Sequence, residues 1–240
     1  MRNIWKLGSR IGILFLVALA VFACGGGGGG RSFNQPRLVY LNGSPDAGNL
    51  TFTIDSQERT TGLVYPAASP LDEIPASGYD LAVRQDGDNP DLDAIAASLE
   101  NEKEYLVSAV GLMNFGGDFF KRLRLTIFEI NLTPPNGNRS RIYFVHGFVR
   151  DTGFDTPNLD LRNPGETPQY KIENVAFGSV GTTDIDSSTQ TFVARVNGSD
   201  VVFATATGTF DPGGIYVALV SGQENGVGAM APALTFIKIA

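Results

Sequence analysis

Residues 37–43 read RLVYLNG, and residues 141–147 read RIYFVHG. Each stretch is an arginine followed by four apolar or aromatic residues, a polar residue and a glycine. Runs of β-branched and aromatic residues that end in turn-forming residues are typical of β-strands. The recurrence of the whole pattern indicates an internal repeat, which a comparison of the chain with itself extends.

Four further pairs of segments match in the same order and at a nearly constant spacing. The matching pairs are 63–66 with 175–178, 86–87 with 197–198, 104–111 with 215–222, and 124–130 with 233–239. We therefore predict two copies of one unit, over residues 37–130 and 141–240. The linker at 131–140 contains Pro134-Pro135 and Asn136-Gly137, which are turn and linker signals.

The pattern within each copy predicts an all-β fold. About seven short strands in about 100 residues is typical of a β-sandwich. Asn197-Gly198 between two apolar segments predicts a hairpin with a type I′ turn. Tyr105 and Tyr216 begin equivalent strands and resemble the tyrosine corner of immunoglobulin-like domains. We expect two tandem immunoglobulin-like Greek-key β-sandwiches.

The first 23 residues predict a secretory signal peptide. Arg2, Lys6 and Arg10 precede the apolar stretch 11–23, which ends in a small residue. A basic start, an apolar core and a small residue are the three parts of such a signal. An apolar stretch of this length is too short to span the bilayer core as a helix.

Cys24 is the only cysteine of the chain, and glycines 25–30 follow it. Val21-Phe22-Ala23-Cys24 resembles the bacterial lipobox, although Phe22 is larger than the usual residue. The resemblance implies cleavage before Cys24 and acylation of its thiol, which would anchor the protein to a membrane. Residues 24–36 would then form a flexible tether. The alternative is a free or dimer-forming cysteine after ordinary signal cleavage.

The charge and the cysteine content narrow the possible partners. The formal net charge is −7, and removal of the basic leader makes the remainder more acidic. We therefore expect no nucleic-acid partner. We expect the membrane to be reached through the lipid on Cys24, and the protein to lie in the cell envelope, at the outer membrane or the cell surface. With Cys24 acylated, no disulfide is expected.

The sequence offers few candidates for chemistry. His146 is the only histidine, and its position at the end of a predicted strand favours a structural role. Four carboxylates within eight residues form a candidate calcium site, because oxygen ligands suffice for that ion. These residues are Asp86, Asp88, Asp91 and Asp93. Their spacing does not follow the EF-hand, and an acidic solvated loop is the alternative. No other cofactor is expected.

The segment 150–170 reads as a surface loop that is longer in the second copy. It is rich in Pro, Gly, Asp and Asn, which favour turns. Because loops on a rigid scaffold commonly carry recognition, this segment is the candidate partner-binding loop. Its candidate residues are Arg150, Asp151, Phe154, Asp155, Asn158, Asp160 and Arg162.

The opening of the first copy also resembles a known family. The stretch RLVYLNGSPDAG, residues 37–48, is similar to the start of the family named domain of unknown function 4397. That start has an arginine, alternating apolar residues, a histidine and then A-S-P-D-A. Here Asn42 stands in place of the histidine. The second copy keeps His146 but reads Gly-Phe-Val-Arg-Asp where Ser-Pro-Asp is expected.

The resemblance implies secreted or surface-anchored β-sandwich modules, with no established activity and no catalytic residues. We expect a non-enzymatic lipoprotein that binds a protein or glycan partner or acts as a spacer. One alternative is an accessory subunit of an envelope complex that faces the periplasm. The other is a hydrolase that uses a pair of carboxylates.

Overall fold

The computed structural model describes residues 34–88, 90–114, 122–151 and 156–240. The strands of the first half are β1 (Arg37–Gly43), β2 (Leu50–Ile54), β3 (Gln57–Leu63), β4 (Ala67–Ala68), β5 (Asp72–Glu73), β6 (Ser77–Gln85), β7 (Asp93–Leu99), β8 (Glu104–Val110) and β9 (Arg124–Ile130). Those of the second half are β10 (Arg139–His146), β11 (Leu159–Arg162), β12 (Lys171–Val175), β13 (Val180–Asp186), β14 (Thr189–Val196), β15 (Val202–Thr209), β16 (Ile215–Ser221) and β17 (Ala233–Lys238).

The prediction of an all-β fold is confirmed. Within the described ranges the helical structure is a short 3₁₀ turn at Gly228–Met230. That part of the chain contains no helix with the length and apolar character needed to cross a membrane.

The first half forms two sheets. One has the strand order β4-β1-β8-β9, with β5 also paired to β1, and we call it inner sheet 1. The other has the order β3-β2-β6-β7 and is outer sheet 1. Within inner sheet 1, β1 and β8 run parallel from Arg37 beside Glu104 to Gly43 beside Val110. The remaining pairs in both sheets are antiparallel.

The second half repeats this arrangement, with the single strand β13 in the place of the two short strands β4 and β5. Inner sheet 2 has the order β13-β10-β16-β17, and outer sheet 2 has the order β12-β11-β14-β15. The central strands β10 and β16 are again parallel. The strand order alone does not establish the immunoglobulin-like Greek key, which stays a prediction. β10 begins at Arg139, within the segment expected to be a linker.

Three apolar cores separate four layers. One core lies within each half, between its inner and outer sheets, and contains Leu38 and Tyr40 in the first half and Phe144 in the second. A middle core joins Val39 and Leu41 to residues of the second half. The layers are therefore ordered outer sheet 1, inner sheet 1, inner sheet 2 and outer sheet 2.

The middle core explains the continuous apolar runs in the sequence. Successive side chains of a strand point to opposite faces, so a strand with both faces covered has no polar side. All seven residues of β8 and all seven of β16 are buried. The polar contact of Tyr65 Oη with Ser221 Oγ, at 2.7 Å, also joins the two halves.

Tyr105 and Tyr216 occupy equivalent positions at the start of β8 and β16. The hydroxyl of Tyr105 accepts a hydrogen bond from the amide of Glu100, at 3.1 Å. The hydroxyl of Tyr216 accepts one from the amide of Asp211, at 2.9 Å. Each tyrosine thus ties the start of an inner strand to the turn that precedes it, which is the arrangement of a tyrosine corner.

We predict that the shared core makes the two halves unfold together. Leu106 is fully buried in the middle core, and Leu106→Ala should lower the free energy of unfolding by about 2–5 kcal/mol. Hydrogen exchange should become faster in both halves, because both lose the same core contacts. Val64→Ala is the matched control, since Val64 is 53% exposed. Faster exchange limited to residues before 131 would contradict the shared core.

Candidate functional site

The four central strands of the inner sheets end at the same place, which we call the loop end. Gly43, the last residue of β1, lies so close to Val110 and Leu219 that an added Cβ would be 3.1 Å from each side chain. Gly147, just after β10, packs against Val110 in the same way. The carboxyl ends of β1, β8, β10 and β16 therefore meet, and the loops that follow them lie side by side.

Turns of the outer sheets join the same end of the stack. Gln85 at the end of β6 donates from Nε2 to the carbonyl of Ala47, at 3.0 Å. The amide of Asn197 after β14 donates to the carbonyl of Asn158, at 2.9 Å. The described residues of the loop end are 44–49, 86–88, 90–92, 111–114, 122–123, 147–151, 156–158, 197–201 and 222–232.

The opposite end of the stack, the base end, holds both ends of the described chain. The amide of Arg37 at the start of β1 donates to the carbonyl of Lys103, at 3.0 Å. The amide of Ile215 at the start of β16 donates to the carbonyl of Ala240, at 2.8 Å. The chain thus enters the folded body on the side away from the loop end.

At the loop end of each half, a side chain at the end of the first strand contacts a backbone carbonyl just before the second strand. We call this contact the clasp. In the first half, Asn42 donates from Nδ2 to the carbonyls of Gly48 and Leu63, at 2.9 and 2.8 Å. In the second half, His146 Nε2 lies 3.0 Å from the carbonyl oxygen of Pro157. Gly48 and Pro157 both lie shortly before the second strand of their half. Asparagine and histidine can exchange here because each offers a nitrogen donor at a similar reach.

An aspartate holds the neighbouring loop in each half. Asp46 accepts hydrogen bonds from the amides of Met113 and Asn114, at 2.8 and 2.9 Å. Asp151 accepts one from the amide of Asn225, at 3.0 Å. The second half has therefore not lost the aspartate of the Ser-Pro-Asp segment: Asp151 fills its place despite the changed residues around it.

The two halves differ in how completely these polar groups are satisfied. In the first half, Ser44 donates from its amide to Asn42 Oδ1 at 3.2 Å and from its hydroxyl to Asp46 Oδ1 at 3.1 Å. In the second half, Arg195 Nε on β14 is buried without a hydrogen-bond partner, and so are three atoms of residues between β10 and β11 and at the end of β10. These three are His146 Nδ1, Asp151 Oδ1 and Thr156 Oγ1. Unpartnered buried polar atoms are rare in folded proteins and call for a physical explanation.

The surroundings of His146 fix its tautomer. A carbonyl oxygen can only accept, so the proton of the neutral ring is on Nε2 and Nδ1 carries a lone pair. The ring is fully buried and meets Phe177 edge to face, with centroids 5.8 Å apart. Arg124 stacks on the same Phe177 ring at 4.8 Å. Burial lowers the pKa of His146 from 6.5 to about 4, because water no longer solvates the charged form.

A family model matches more than half of the chain and includes part of the loop end. The family described as a domain of unknown function, DUF4397, matches residues 36–162. The chain belongs to this family. The matched DUF4397 region includes Asn42 and Asp46 of the first half, and also His146 and Asp151 of the second. The family description names no activity, so it assigns none to these residues.

Two solved structures are distantly similar to this DUF4397 chain. No curated protein matches it. The Bacillus anthracis TIE protein is 10% identical, with a TM-score of 0.26 over 80% of this chain and 34% of its own length. The chain thus spans about a third of that protein. A family 26 carbohydrate-binding module of Eubacterium rectale Amy13K, solved with maltoheptaose, is 12% identical, with a TM-score of 0.27 over 85% of this chain and 97% of its own.

The four aspartates proposed as a calcium site lie at or beside the loop end, and the two that make hydrogen bonds bind to different strands. Asp86 accepts from the Thr51 hydroxyl at 2.8 Å, and Asp93 accepts from the amide of Leu125 at 2.7 Å. Asp88 and Asp91 are exposed in the loop between them. Among the described residues, no three His, Cys, Asp or Glu side chains are grouped so as to hold a metal ion. The calcium hypothesis therefore has no structural support in that part of the chain.

The expectation that 150–170 is a surface loop is wrong in part, because β11 lies within it. Asp160 on β11 is 2% exposed and accepts from the amide of Asn174 and from Asn197 Nδ2, at 2.9 and 2.7 Å. Arg162, also on β11, donates to the carbonyls of Asn163 and Gly165. These contacts make both side chains part of the scaffold.

The other candidates of this segment border the loop end. Arg150 pairs with Glu224 at 3.3 Å, and Asn158 donates to Asn174 Oδ1 at 2.8 Å. Phe154 and Asp155 lie outside the described residues. Cys24, with the signal peptide and most of the tether, also lies outside them.

The sequence analysis did not show that Asp46 and Asp151 occupy equivalent positions, because the residues around them differ between the two copies. The signal was present, since each aspartate follows the glycine of the repeated strand by a few residues. Their equivalent role is visible only from the structure, in which each carboxylate accepts hydrogen bonds from backbone amides of a neighbouring loop.

We predict that His146 makes the fold sensitive to acid. Its pKa in the folded protein, about 4, lies below that of an exposed histidine, so protonation favours unfolding. Stability should be complete above about pH 6.5 and fall by about 3 kcal/mol between pH 7 and pH 4 through this group. His146→Asn introduces the residue of the first half and should remove that part of the loss. Chemical denaturation of both proteins in a chelating buffer tests this, and identical pH profiles would contradict it.

Proposed function

We propose that this DUF4397 protein is a lipid-anchored envelope protein whose folded body is a non-catalytic binding module. One observation carries the proposal: the chain enters the stack at the base end, opposite the loop end. A lipid on Cys24 and the glycine tether 25–30 would join the base end to the membrane. The loop end would then face away from the membrane, where a protein or glycan partner could reach it.

We also propose that the second half is a diverged copy of the family domain. Its sheets have the strand order of the first half, with β13 in the place of β4 and β5. Its clasp at His146 and its aspartate at Asp151 match Asn42 and Asp46 in position and in hydrogen bonding. In this proposal the family domain occurs twice, and the middle core fuses the two copies.

The architecture suits recognition because it separates a rigid scaffold from variable loops. Strands buried on both faces hold the ends of the loops in fixed positions. Asn42 donates hydrogen bonds to loop carbonyls, and Asp46 and Asp151 accept them from loop amides, which fixes the loop backbones further. A surface that is ordered before binding loses less conformational entropy when a partner docks.

We predict that Cys24 determines the location of the protein. In the native cells, the mature amino-terminal peptide should begin at Cys24 and carry the mass of a diacylglycerol group, measured by mass spectrometry. Cys24→Ala should move the protein out of the membrane fraction, since no acyl chain would remain. Digestion of intact cells with protease separates surface exposure from the periplasmic alternative. An unmodified Cys24 or a retained Met1 would contradict the anchor.

We predict that partners contact the loop end more than the base end. A photo-crosslinking amino acid at Asp200 tests the loop end, because the Asp200 side chain is fully exposed. The same group at the exposed Asn136 is the matched control on the base end. On intact cells, the probe at position 200 should give a discrete adduct that the probe at position 136 does not give. The same adducts from both positions would contradict a binding surface at the loop end.

A further inference from the structure

The strand β7 forms an edge of outer sheet 1 and lacks the usual protection against pairing. Within the described ranges it pairs with β6 alone, over its full length and without a register shift. It carries no charged residue between Ala94 and Leu99. The opposite edge, β3, contains Glu58 and Arg59, and its pairing with β2 is irregular. Charged side chains and bulges are the features that block an edge, so β7 is open to another strand.

The hydrogen bonds of β6 show which backbone groups of β7 face outward. The amide of Asp55, just after β2, donates to the carbonyl of Asp80, at 2.8 Å, so the backbone groups of Asp80 face β2. Because these groups alternate in direction along an antiparallel strand, the residues on either side of Asp80 face β7. They lie opposite Ile95 and Ala97. The amide of Ala96, between these two, therefore points away from β6, to the open edge.

A groove runs along the outer face of the sheet beside this edge. It consists of two adjoining cavities of about 440 and 410 Å³, and both are lined by Asp80 and Ala96. Ala96 lies opposite Asp80 in the ladder of β6 and β7. The groove is acidic, because Asp55, Asp80 and Asp91 line it with exposed side chains. Arg84, which also lines it, is already ion-paired with a glutamate of β3, at 2.6 Å.

We propose that β7 pairs with an extended basic segment of a partner protein. The backbone of that segment bonds to the outward groups of β7, and its alternate side chains lie over the groove. A strand added beside β7 runs about 10 Å from the backbone of Asp80, which is twice the spacing between strands. The long side chains of lysine and arginine reach across that gap to the carboxylates. Strand addition takes its affinity from main-chain bonds and its specificity from alternate side chains.

The equivalent edge of the second half, β15, offers a different surface. The cavity on its sheet is lined by two basic and two acidic residues, so their charges balance. These residues are Arg162, Arg195, Glu166 and Asp200. The pairing of β15 with β14 is also irregular. The basic segment is therefore assigned to the first half alone. This surface is separate from the loop end and from the lipid anchor, so failure of one proposal leaves the others testable.

The first test uses a peptide as long as β7 that alternates lysine with threonine, and a peptide that alternates glutamate with threonine is its matched control. Each is titrated into the full nitrogen-15-labelled chain in nonionic detergent micelles. The lysine peptide should shift the amide resonances of Ala96 and of Ser98, which faces the same way, and slow their hydrogen exchange. The glutamate peptide should do neither. Equal binding of the two peptides, or binding that leaves both amides unchanged, would overturn the proposal.

The second test separates the backbone and charge contributions. Ala96→Pro removes an outward donor where an edge strand tolerates proline, so it should weaken binding of the lysine peptide at least about tenfold. Asp80→Asn removes one carboxylate and should weaken it about two- to fivefold. Asp200→Asn is the matched control in the second half and should leave the affinity unchanged. Unchanged affinity in Ala96→Pro would contradict the proposal. So would protection of the Ala96 amide that rises with protein concentration alone, because a second copy would then occupy the edge.

Discussion

The packing of inner sheet 1 against inner sheet 2 determines the rest of this structure. A parallel pair of strands at the centre of each inner sheet is apolar on both faces, so it needs a cover on each side. The outer sheet of the same half supplies one cover, and the other half of the chain supplies the second. Neither half could bury Val39, Leu106 or Leu219 alone. The middle core therefore sets the direction of the four central strands and brings their loops together.

The two halves share a scaffold, and they differ in the hydrogen bonding at their loop ends. Both use a nitrogen donor at the end of the first strand and an aspartate that holds a neighbouring loop. In the first half these groups form a closed network of hydrogen bonds. In the second half His146 and Asp151 keep the scaffold bonds but leave lone pairs buried.

Much of the fold could be predicted from the sequence because strand patterns and turns are local signals. The repeated motif and the two tyrosines follow from residue type and spacing. The hairpin at Asn197-Gly198 also exists, but its turn is not type I′, since only Gly198 has a positive φ. The stacking of the halves could not be predicted, because an apolar run shows that both faces are covered without showing by what.

The candidate site was harder to predict because its chemistry depends on contacts distant in sequence. Asp160 looked like a loop residue, yet it is a buried strand residue that accepts hydrogen bonds from two other segments and lies 3.7 Å from Arg195 Nε. The aspartates at 86 and 93 looked like partners, yet they bond to different strands. Asp151 was one candidate among seven, and only its contact with Asn225 distinguishes it.

The contact between Tyr65 and Ser221 allows the most direct test of the stacked halves. A double-mutant cycle of Tyr65→Phe and Ser221→Ala, measured by the free energy of unfolding, isolates the energy that joins them. The stacked arrangement predicts a coupling of about 0.5 kcal/mol or more, because the hydroxyls meet at 2.7 Å across the two halves. Additive effects of the two substitutions would contradict it.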